Sequence, residues 1–138
     1  MLRDVVREIE RIAAQTIEAA VDLPRPIRAD PQRLGQLLSN LLGNAVAHGA
    51  QDAPIRVEAR DQGGRPRLAV TNQGAPIPKE ILPSLFSPFY RGGEANLQGL
   101  GLGLYIASQI AQAHGGRIDV TSGADGATFV LTMPARYA

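Results

Sequence analysis

The spacing of apolar residues changes several times along this chain, and each change marks a predicted element. Residues 2–14 carry an apolar side chain at every third or fourth position with charged side chains between them, which is the pattern of an amphipathic helix. Residues 17–23 alternate apolar and polar positions, which predicts a strand that Pro24 ends. Asp30 is a good N-cap and Pro31 suits the first helical position, so a second helix is expected to begin there.

This second helix is rich in leucine and is followed by a predicted hairpin. Gly49 is expected to end the helix, because glycine is common just beyond helix C-termini. Residues 55–60 alternate apolar and polar positions again. Asp61–Pro66 are predicted to form the turn, and Leu68 and Val70 belong to the returning strand.

A long segment, residues 73–98, is rich in glycine, proline and polar residues, with one helical turn predicted near Pro78–Leu82. Segments of this length without regular structure are usually functional lids or disordered. A third helix is predicted from about Gly101 to Ala113.

The chain is predicted to close with a hairpin. Its strands are Arg117–Thr121 and Ala127–Met133, and its turn is Ser122–Gly126. Because strands and helices are mixed and the last pair is antiparallel, we expect an α+β sandwich with helices on one face of the sheet. No internal repeat or domain boundary is found along the sequence.

Composition indicates a globular protein and excludes several functions. Of 138 residues, 44% are hydrophobic and 20% charged, and the net charge of +1 gives no field that would indicate nucleic-acid or anionic-membrane binding. The absence of cysteine excludes disulfides and thiolate metal sites and is compatible with an intracellular location. No apolar run approaches the about 20 residues of a membrane span, and no signal-peptide pattern is found.

Two segments about fifty residues apart carry the candidate chemistry. Asn40 and Asn44 stand at i and i+4 in the second helix, so both carboxamides project from one helix face. Gly99–Leu104 opens the third helix with three glycines, whose backbone N–H groups can approach an anion at a helix N-terminus. Oxygen ligands on one helix and a phosphate cradle on another predict a nucleotide site in which Mg²⁺ bridges protein and phosphates.

Four sequence blocks carry a resemblance to a known family. They are Asp30–Leu34 leading into Asn40–Ala45, then Val70–Gly74, Phe86–Arg91, and Gly99–Leu104 continuing to His114–Gly116. In this order and spacing the chain, from about Ala29 to Pro134, resembles the ATP-binding catalytic domain of bacterial sensor histidine kinases, of the Bergerat or GHKL superfamily. The closing Gly126–Phe129 also resembles the last glycine box of this family.

The resemblance implies a fold and a function. The implied fold is the Bergerat α/β sandwich, a mixed, mostly antiparallel sheet with helices on one face and a mobile ATP lid. Residues 1–14 are then the tail of a preceding helical dimerisation domain or a linker helix, and residues 15–138 the catalytic domain. The implied activity is binding of Mg-ATP and donation of the γ-phosphoryl group to a histidine on the separate dimerisation domain. Neither His48 nor His114 matches the acceptor motif.

The resemblance also assigns roles to residues. Asn44 matches the Mg²⁺ ligand, and Asn40 stands where hydrolytic relatives such as gyrase carry a glutamate. An amide cannot accept a proton, so ATP hydrolysis is expected to be poor. Arg91 is the expected cation at the triphosphate, because Ala47 replaces a lysine found in many relatives, and with Asn40 and Asn44 it forms the expected catalytic set. The expected nucleotide-binding set is Asn44, His48, Asn72, Gly74, Ile77, Gly99, Leu100, Gly101, Leu102, Gly103, Leu104 and Thr128.

Some of these positions have two interpretations. Asn72 aligns with an aspartate that accepts a hydrogen bond from adenine, yet it would also suit a strand-end turn. His48 is either near the phosphates or a last-turn residue that complements the helix dipole. Phe86 either anchors the lid or packs in the core. Pro76 replaces a glycine of the family pattern.

The whole chain also has competing interpretations. The main one is a kinase domain whose partners are the dimerisation domain of the same kinase and a response regulator. It binds no nucleic acid, reaches a membrane only through other parts of a longer protein, is monomeric when isolated, and is cytoplasmic, as the cytoplasmic portion of an inner-membrane sensor would be. The alternatives are a degenerate, non-catalytic GHKL interaction module, supported by Ala47, Asn72 and Pro76, and a GHKL ATPase or anti-sigma serine kinase.

Overall fold

A computed structural model describes residues 2–13, 15–50, 52–88 and 102–134 of the chain. Within these ranges no helix combines the length and the apolar character that crossing a membrane would require. In chain order the elements are helix α1 (Leu2–Ala13), strand β1 (Ile17–Asp22), helix α2 (Pro31–His48), strands β2 (Ile55–Gln62) and β3 (Arg65–Asn72), a short 3-10 helix (Leu82–Ser84), helix α3 (Gly103–Ala113), and strands β4 (Arg117–Gly123) and β5 (Gly126–Thr132).

The five strands form one mixed sheet in the order β1-β2-β3-β5-β4. Strand β1 pairs parallel with β2, and the other neighbours pair antiparallel. In register, Val57 faces Val70, Val70 faces Phe129, and Phe129 faces Val120, so one apolar row crosses the sheet. The predicted mixed, mostly antiparallel sheet in an α+β sandwich is confirmed.

Strand alternation gives the sheet two different faces. In β2, Ile55, Val57 and Ala59 are buried, whereas Arg56 and Glu58 between them are exposed. The buried face carries the helices, and the exposed face carries ion pairs such as that between Arg56 and Glu18. This alternation is the reason that the helices cover only one face, as the sequence predicts.

Helix α2 is the centre of the helical layer, because it contacts α1, α3 and β3. Leu37, Leu38, Leu41 and Leu42 are fully buried and belong to the same core cluster as Phe129 on the sheet. Burying a side chain of this size contributes about 1.5–3 kcal/mol relative to exposure, so these leucines fix α2 on the sheet.

Both ends of α2 lie where the sequence predicts them. Asp30 is the N-cap, and its Oδ1 accepts hydrogen bonds from the backbone N–H of Gln32 at 3.0 Å and of Arg33 at 3.3 Å. Gly49 follows the last turn, but its φ of −84° is available to any residue. A Cβ at Gly49 would lie 2.6 Å from the carbonyl oxygen of Ala45, so lack of space, not a left-handed conformation, explains glycine here.

A buried histidine links the end of α3 to the start of α2. The Nδ1 of His114 lies 2.8 Å from the carbonyl oxygen of Ile110, and the backbone N–H of Asp30 donates to Nε2 over 3.2 Å. Because Nε2 accepts, the proton is on Nδ1 and donates to Ile110. This contact fixes α2 and α3 antiparallel, so the N-terminus of α3 lies beside the C-terminal half of α2.

Both hairpin turns are shorter than the sequence predicts. The first is only Gly63–Gly64, with φ of +61° and +86°, and Asp61 and Pro66 of the predicted turn pair with each other in the ladder. The second is Ala124–Asp125. Asp61 and Ser122 are polar residues that pair within the ladder at the ends of their strands, and residues of this type are also common in turns, so the local sequence does not separate the two.

The remaining differences are small. The helical turn predicted near Pro78–Leu82 is a 3-10 helix at Leu82–Ser84. The third helix begins at Gly103, while Gly101, where its start is predicted, lies outside the described residues.

Candidate functional site

The two carboxamides of α2 lie on the side of that helix that meets α3. Asn40 and Asn44 are one turn apart and half-buried. The Nδ2 of Asn40 donates to the carbonyl oxygen of Gly103 over 3.2 Å. No hydrogen bond to the Asn44 carboxamide is found among the described residues. The fold therefore brings Asn40 to the first turn of α3, with Asn44 one turn further along the same face of α2.

The first turn of α3 lies at the start of the described segment 102–134 and presents its backbone N–H groups there. Leu102 precedes the helix and makes no side-chain cap hydrogen bond, and the first helical bond described runs from the N–H of Ile106 to Leu102 over 2.8 Å. The N–H groups ahead of Ile106 therefore have no partner within the helix. A Cβ at Gly103 would meet no described atom within 4 Å. Exposed N–H groups and the helix dipole favour an anion at such an end.

Asn72, at the end of β3, is a buried polar residue with 5% of its surface exposed. Its Nδ2 donates to the carbonyl oxygen of Gln73 over 3.4 Å. Its side chain packs against Gly49, where a Cβ would lie 3.0 Å from the Cβ of Asn72. Gly49 therefore ends α2 and, because it has no side chain, leaves space for the side chain of Asn72.

Two further glycines allow close backbone approach around Asn72. Gly74 has φ +143°, and a Cβ there would lie 3.3 Å from the backbone nitrogen of Ala50. Gly126 has φ +130°, and a Cβ there would lie 2.0 Å from the carbonyl oxygen of Asn72. The N–H of Ala50 also donates to the carbonyl oxygen of Gln73 over 2.7 Å.

Ile77 is held over the end of the sheet by a serine that the sequence did not indicate. Its N–H donates to the Oγ of Ser122 in β4 over 2.6 Å. Ser122 pairs with Ala127, and Ala127 pairs with Asn72, so the three form one row on the helical face of the sheet. Ile77 is half-buried and packs against the core. No local pattern marks Ser122, because its partner is 45 positions away.

Thr128 is not brought together with the other predicted residues. It follows Ala127 in β5 and so points to the opposite face of the sheet. There its hydroxyl shares a hydrogen bond of 3.1 Å with the hydroxyl of Thr71. Ala127 is the residue of β5 that lies on the face of Asn72, since register alternates at every residue.

The other predicted site residues differ in their positions. His48 is exposed in the last turn of α2, where a basic side chain complements the helix dipole. Leu104 is half-buried in α3 and packs against the core. Arg91, Gly99, Leu100 and Gly101 lie outside the described residues.

Phe86 packs against the core. Its ring and that of Phe129, which is fully buried, meet edge to face with centroids 6.2 Å apart and an interplanar angle of 79°. This contact holds the chain to the sheet just ahead of residue 89, where the described segment stops.

The polar groups described above around Asn40, Asn72 and Ser122 are carboxamides, a hydroxyl and backbone groups, which carry no charge. Among the described residues, no group of three or more His, Cys, Asp or Glu could hold a metal ion. The amide oxygen of Asn44, together with water and ligand oxygens, is a hard ligand set of the kind that Mg²⁺ prefers.

Known proteins are similar to this chain in sequence and in fold. The profile of a family described as histidine kinase-, DNA gyrase B-, and HSP90-like ATPase matches residues 29–137. A bacteriophytochrome of Pseudomonas aeruginosa is 39% identical over 98% of this chain and 20% of its own length. Sensor histidine kinase YkoH of Bacillus subtilis is 44% identical over 70% of this chain and 21% of its own length. The chain thus spans about a fifth of the length of the curated relatives it matches.

Solved structures of histidine kinases are also similar to this chain in fold. The catalytic domain of histidine kinase ThkA aligns with a TM-score of 0.78 and 29% identity, covering 97% of this chain and 92% of that domain. Full-length ShkA, crystallised in complex with AMPPNP, aligns with a TM-score of 0.85 and 30% identity, covering 99% of this chain and 30% of that protein. The chain therefore belongs to the family of histidine kinase-, DNA gyrase B- and HSP90-like ATPases, and within it to the ATP-binding catalytic domains of sensor histidine kinases.

Proposed function

We propose that this chain binds ATP with Mg²⁺ between the C-terminal half of α2, the N-terminus of α3 and the Asn72–Ile77 segment. The proposal includes donation of the γ-phosphoryl group to a histidine on a separate helical dimerisation domain. The observation that carries it is the 3.2 Å hydrogen bond from Asn40 to Gly103, because it joins the amide face of α2 to the anion-attracting end of α3.

Asn44 is the proposed Mg²⁺ ligand. It lies one turn beyond Asn40 on the same helix face, half-buried, and its amide oxygen is a hard ligand. Mg²⁺ is usually held by one or two protein oxygens together with phosphates and water, so a single carboxamide is sufficient. When bound, the ion would neutralise charge on the phosphates during phosphoryl transfer.

Asn72 is the proposed adenine partner. Its Nδ2 already donates to Gln73, which leaves Oδ1 as an acceptor for the exocyclic amine of adenine. A neutral amide accepts a weaker hydrogen bond than a carboxylate, so this contact orients the base with modest strength. Ile77 and Ala127 supply apolar surface beside it.

Asn40 favours transfer over hydrolysis in this proposal. Its carboxamide donates to Gly103 and cannot take a proton from water, so it holds α2 against α3 without activating a water molecule. The γ-phosphoryl group is then kept for a protein acceptor. His48, Arg91 and Gly99–Leu104 remain proposed contacts of the phosphates.

The proposed setting is two-component signalling. Relatives named sensor histidine kinases match the chain, which supports a dimerisation domain and a response regulator as partners. We assign α1 to the end of that dimerisation domain. We also propose that the isolated catalytic domain is a monomer. A cytoplasmic location follows from the use of ATP, with any membrane attachment made by other parts of a longer protein.

Titration calorimetry with ATP tests the nucleotide and metal assignments together. The chain is expected to bind ATP more tightly with Mg²⁺ than with EDTA, and Asn44→Ala is expected to remove that difference. Asn44→Asp, which keeps an oxygen ligand, should restore it. Absence of binding at millimolar ATP would support the degenerate interaction module instead.

A transfer assay tests the activity. The chain is mixed with the histidine-bearing dimerisation domain of a relative and γ-labelled ATP, and an acid-labile phosphohistidine is expected. Rapid release of inorganic phosphate without labelled protein would identify an ATPase and contradict the proposal.

A further inference from the structure

The side chain of Gln15 reaches from the segment between α1 and β1 to the loop that follows α2. Its Nε2 donates to the carbonyl oxygens of Ala53 at 3.0 Å and Ala50 at 3.2 Å. A glutamine amide has two N–H donors, so both carbonyls are satisfied by one side chain. Gln15 is half-buried, which limits competition from water.

The loop that Gln15 holds supports the proposed adenine end of the site. The N–H of Ala50 donates to the carbonyl oxygen of Gln73 over 2.7 Å, so Ala50 is held on one side by Gln15 and on the other by Gln73. Gly49 packs directly on the Asn72 side chain, and Gly74 approaches the nitrogen of Ala50. A displacement of Ala50 would therefore also displace Gly49, which packs on the Asn72 side chain, and the Gln73–Gly74 segment that follows Asn72.

Gln15 itself projects from a fixed backbone. The carboxylate of Glu10, in α1, accepts a hydrogen bond from the N–H of Ile17 over 2.9 Å. The carbonyl oxygen of Thr16 accepts from the N–H of Ile55 over 3.0 Å. The segment is anchored on α1 and on β2, so the Gln15 amide is held at a defined position.

We propose that Gln15 is a positioning residue of the nucleotide site. By holding Ala50 and Ala53 it fixes the loop on which Asn72 and Gly74 rest, although it does not contact the nucleotide. The inference rests on the proposed function, and it adds a determinant of ATP affinity from outside the family's sequence blocks.

The test measures ATP affinity by calorimetry for three variants of the chain. Gln15→Leu keeps the approximate size and removes both donors. We expect ATP to bind about 5- to 25-fold more weakly, since one or two hydrogen bonds are lost and each is worth about a factor of five in an equilibrium constant. Gln15→Lys keeps an N–H donor and should restore most of the affinity. Gln36→Leu is the matched control, because Gln36 is exposed on α2, and it should bind like the wild type.

Amide hydrogen exchange separates positioning from general stability. In Gln15→Leu the N–H of Ala50 should exchange about tenfold faster, while amides of the α2 core keep their protection because the domain stays folded. Equal ATP affinity of Gln15→Leu and the wild type, or loss of affinity only in step with global unfolding in urea, would overturn the inference about Gln15. Failure of the wild type to bind ATP would instead overturn the proposed function on which it rests.

Discussion

Gly49 and Gly103 are glycines for different reasons, although both lie at helix ends beside the proposed site. A side chain at Gly49 would collide with Ala45 at 2.6 Å and press on Asn72 at 3.0 Å. A side chain at Gly103 would meet no described atom within 4 Å. Protein packing therefore explains the first glycine, whereas among the described residues no packing contact requires the second.

Gly103→Ala is expected to stabilise the fold slightly and to weaken ATP binding. Alanine has the better helix propensity, so the free energy of unfolding should rise by a few tenths to about 1 kcal/mol. The added methyl group would occupy space proposed for the phosphates. Urea unfolding and ATP titration of the same variant measure the two effects, and unchanged ATP affinity would argue against phosphates at this position.

Gly49→Ala is expected to lower both stability and ATP affinity. Overpacking of this kind costs about 1–3 kcal/mol, and the collision displaces Asn72. Gly123→Ala is the control, because a Cβ at Gly123 meets no described atom within 4 Å. Equal unfolding midpoints for the two variants would mean that the chain around Gly49 can shift enough to accommodate a Cβ at little cost.

At the scale of elements, two contacts set the relation between α2 and α3. His114 ties the C-terminus of α3 to the N-cap of α2, and Asn40 ties α2 to the N-terminus of α3. The first contact lies at the far end of the helix pair from the proposed site, and the second forms part of it. The alignment of the two helices therefore depends on residues at both ends.

His114→Phe is expected to destabilise the domain by about 1–3 kcal/mol, because the N–H of Asp30 would lose its acceptor in a part-buried contact and the carbonyl of Ile110 would keep only the backbone N–H of residue 114 as a donor. His48→Phe is the matched control, since His48 is exposed and most surface substitutions change stability by less than about 0.5 kcal/mol. Urea unfolding of both variants measures the difference. Equal midpoints would show that the helix link contributes nothing.

Substitutions at the neighbouring residues Ala127 and Thr128 of β5 should affect ATP affinity differently, because the two side chains lie on opposite faces of the sheet. Thr128→Val removes a hydrogen bond on the outer face and should leave ATP affinity unchanged. Ala127→Leu adds bulk beside Asn72 and should reduce ATP affinity at least about tenfold through steric exclusion. Calorimetry on the two variants checks this, and a loss of affinity in Thr128→Val would restore Thr128 as a nucleotide contact.

For the whole molecule, the spacing of apolar residues predicted the features that need one buried face on each element. The apolar stripes of α1 and α2 and the alternation in β2 predicted these helices, this strand and their packing as a sandwich. Turn lengths were not predictable, because Asp61 and Pro66 are a polar residue and a proline that nonetheless pair within the ladder. The residue types of a short segment do not distinguish a turn from the end of a strand.

The candidate site was predictable where residues act through their own type and spacing. The pair Asn40 and Asn44 and the glycines before α3 are visible in the sequence. Ser122 and Gln15 were not, since each acts on a backbone group 35 or more positions away, and only the tertiary fold brings them together. Thr128 was expected from the resemblance of Gly126–Phe129 to the last glycine box of the family, and its contact with the nucleotide stays a prediction, although its side chain lies on the face of the sheet opposite to Asn72.

An NMR titration of the chain with AMPPNP and Mg²⁺, following backbone and side-chain amides, tests whether one nucleotide lies between α2, β3 and α3. We expect the largest chemical-shift changes at the backbone N–H groups of Gly103 and Leu104 and at the carboxamides of Asn44 and Asn72. Those groups belong to three different elements and would respond together only if they surround one nucleotide. Changes confined to the outer face of the sheet, around Thr71 and Thr128, would show that the nucleotide does not bind there.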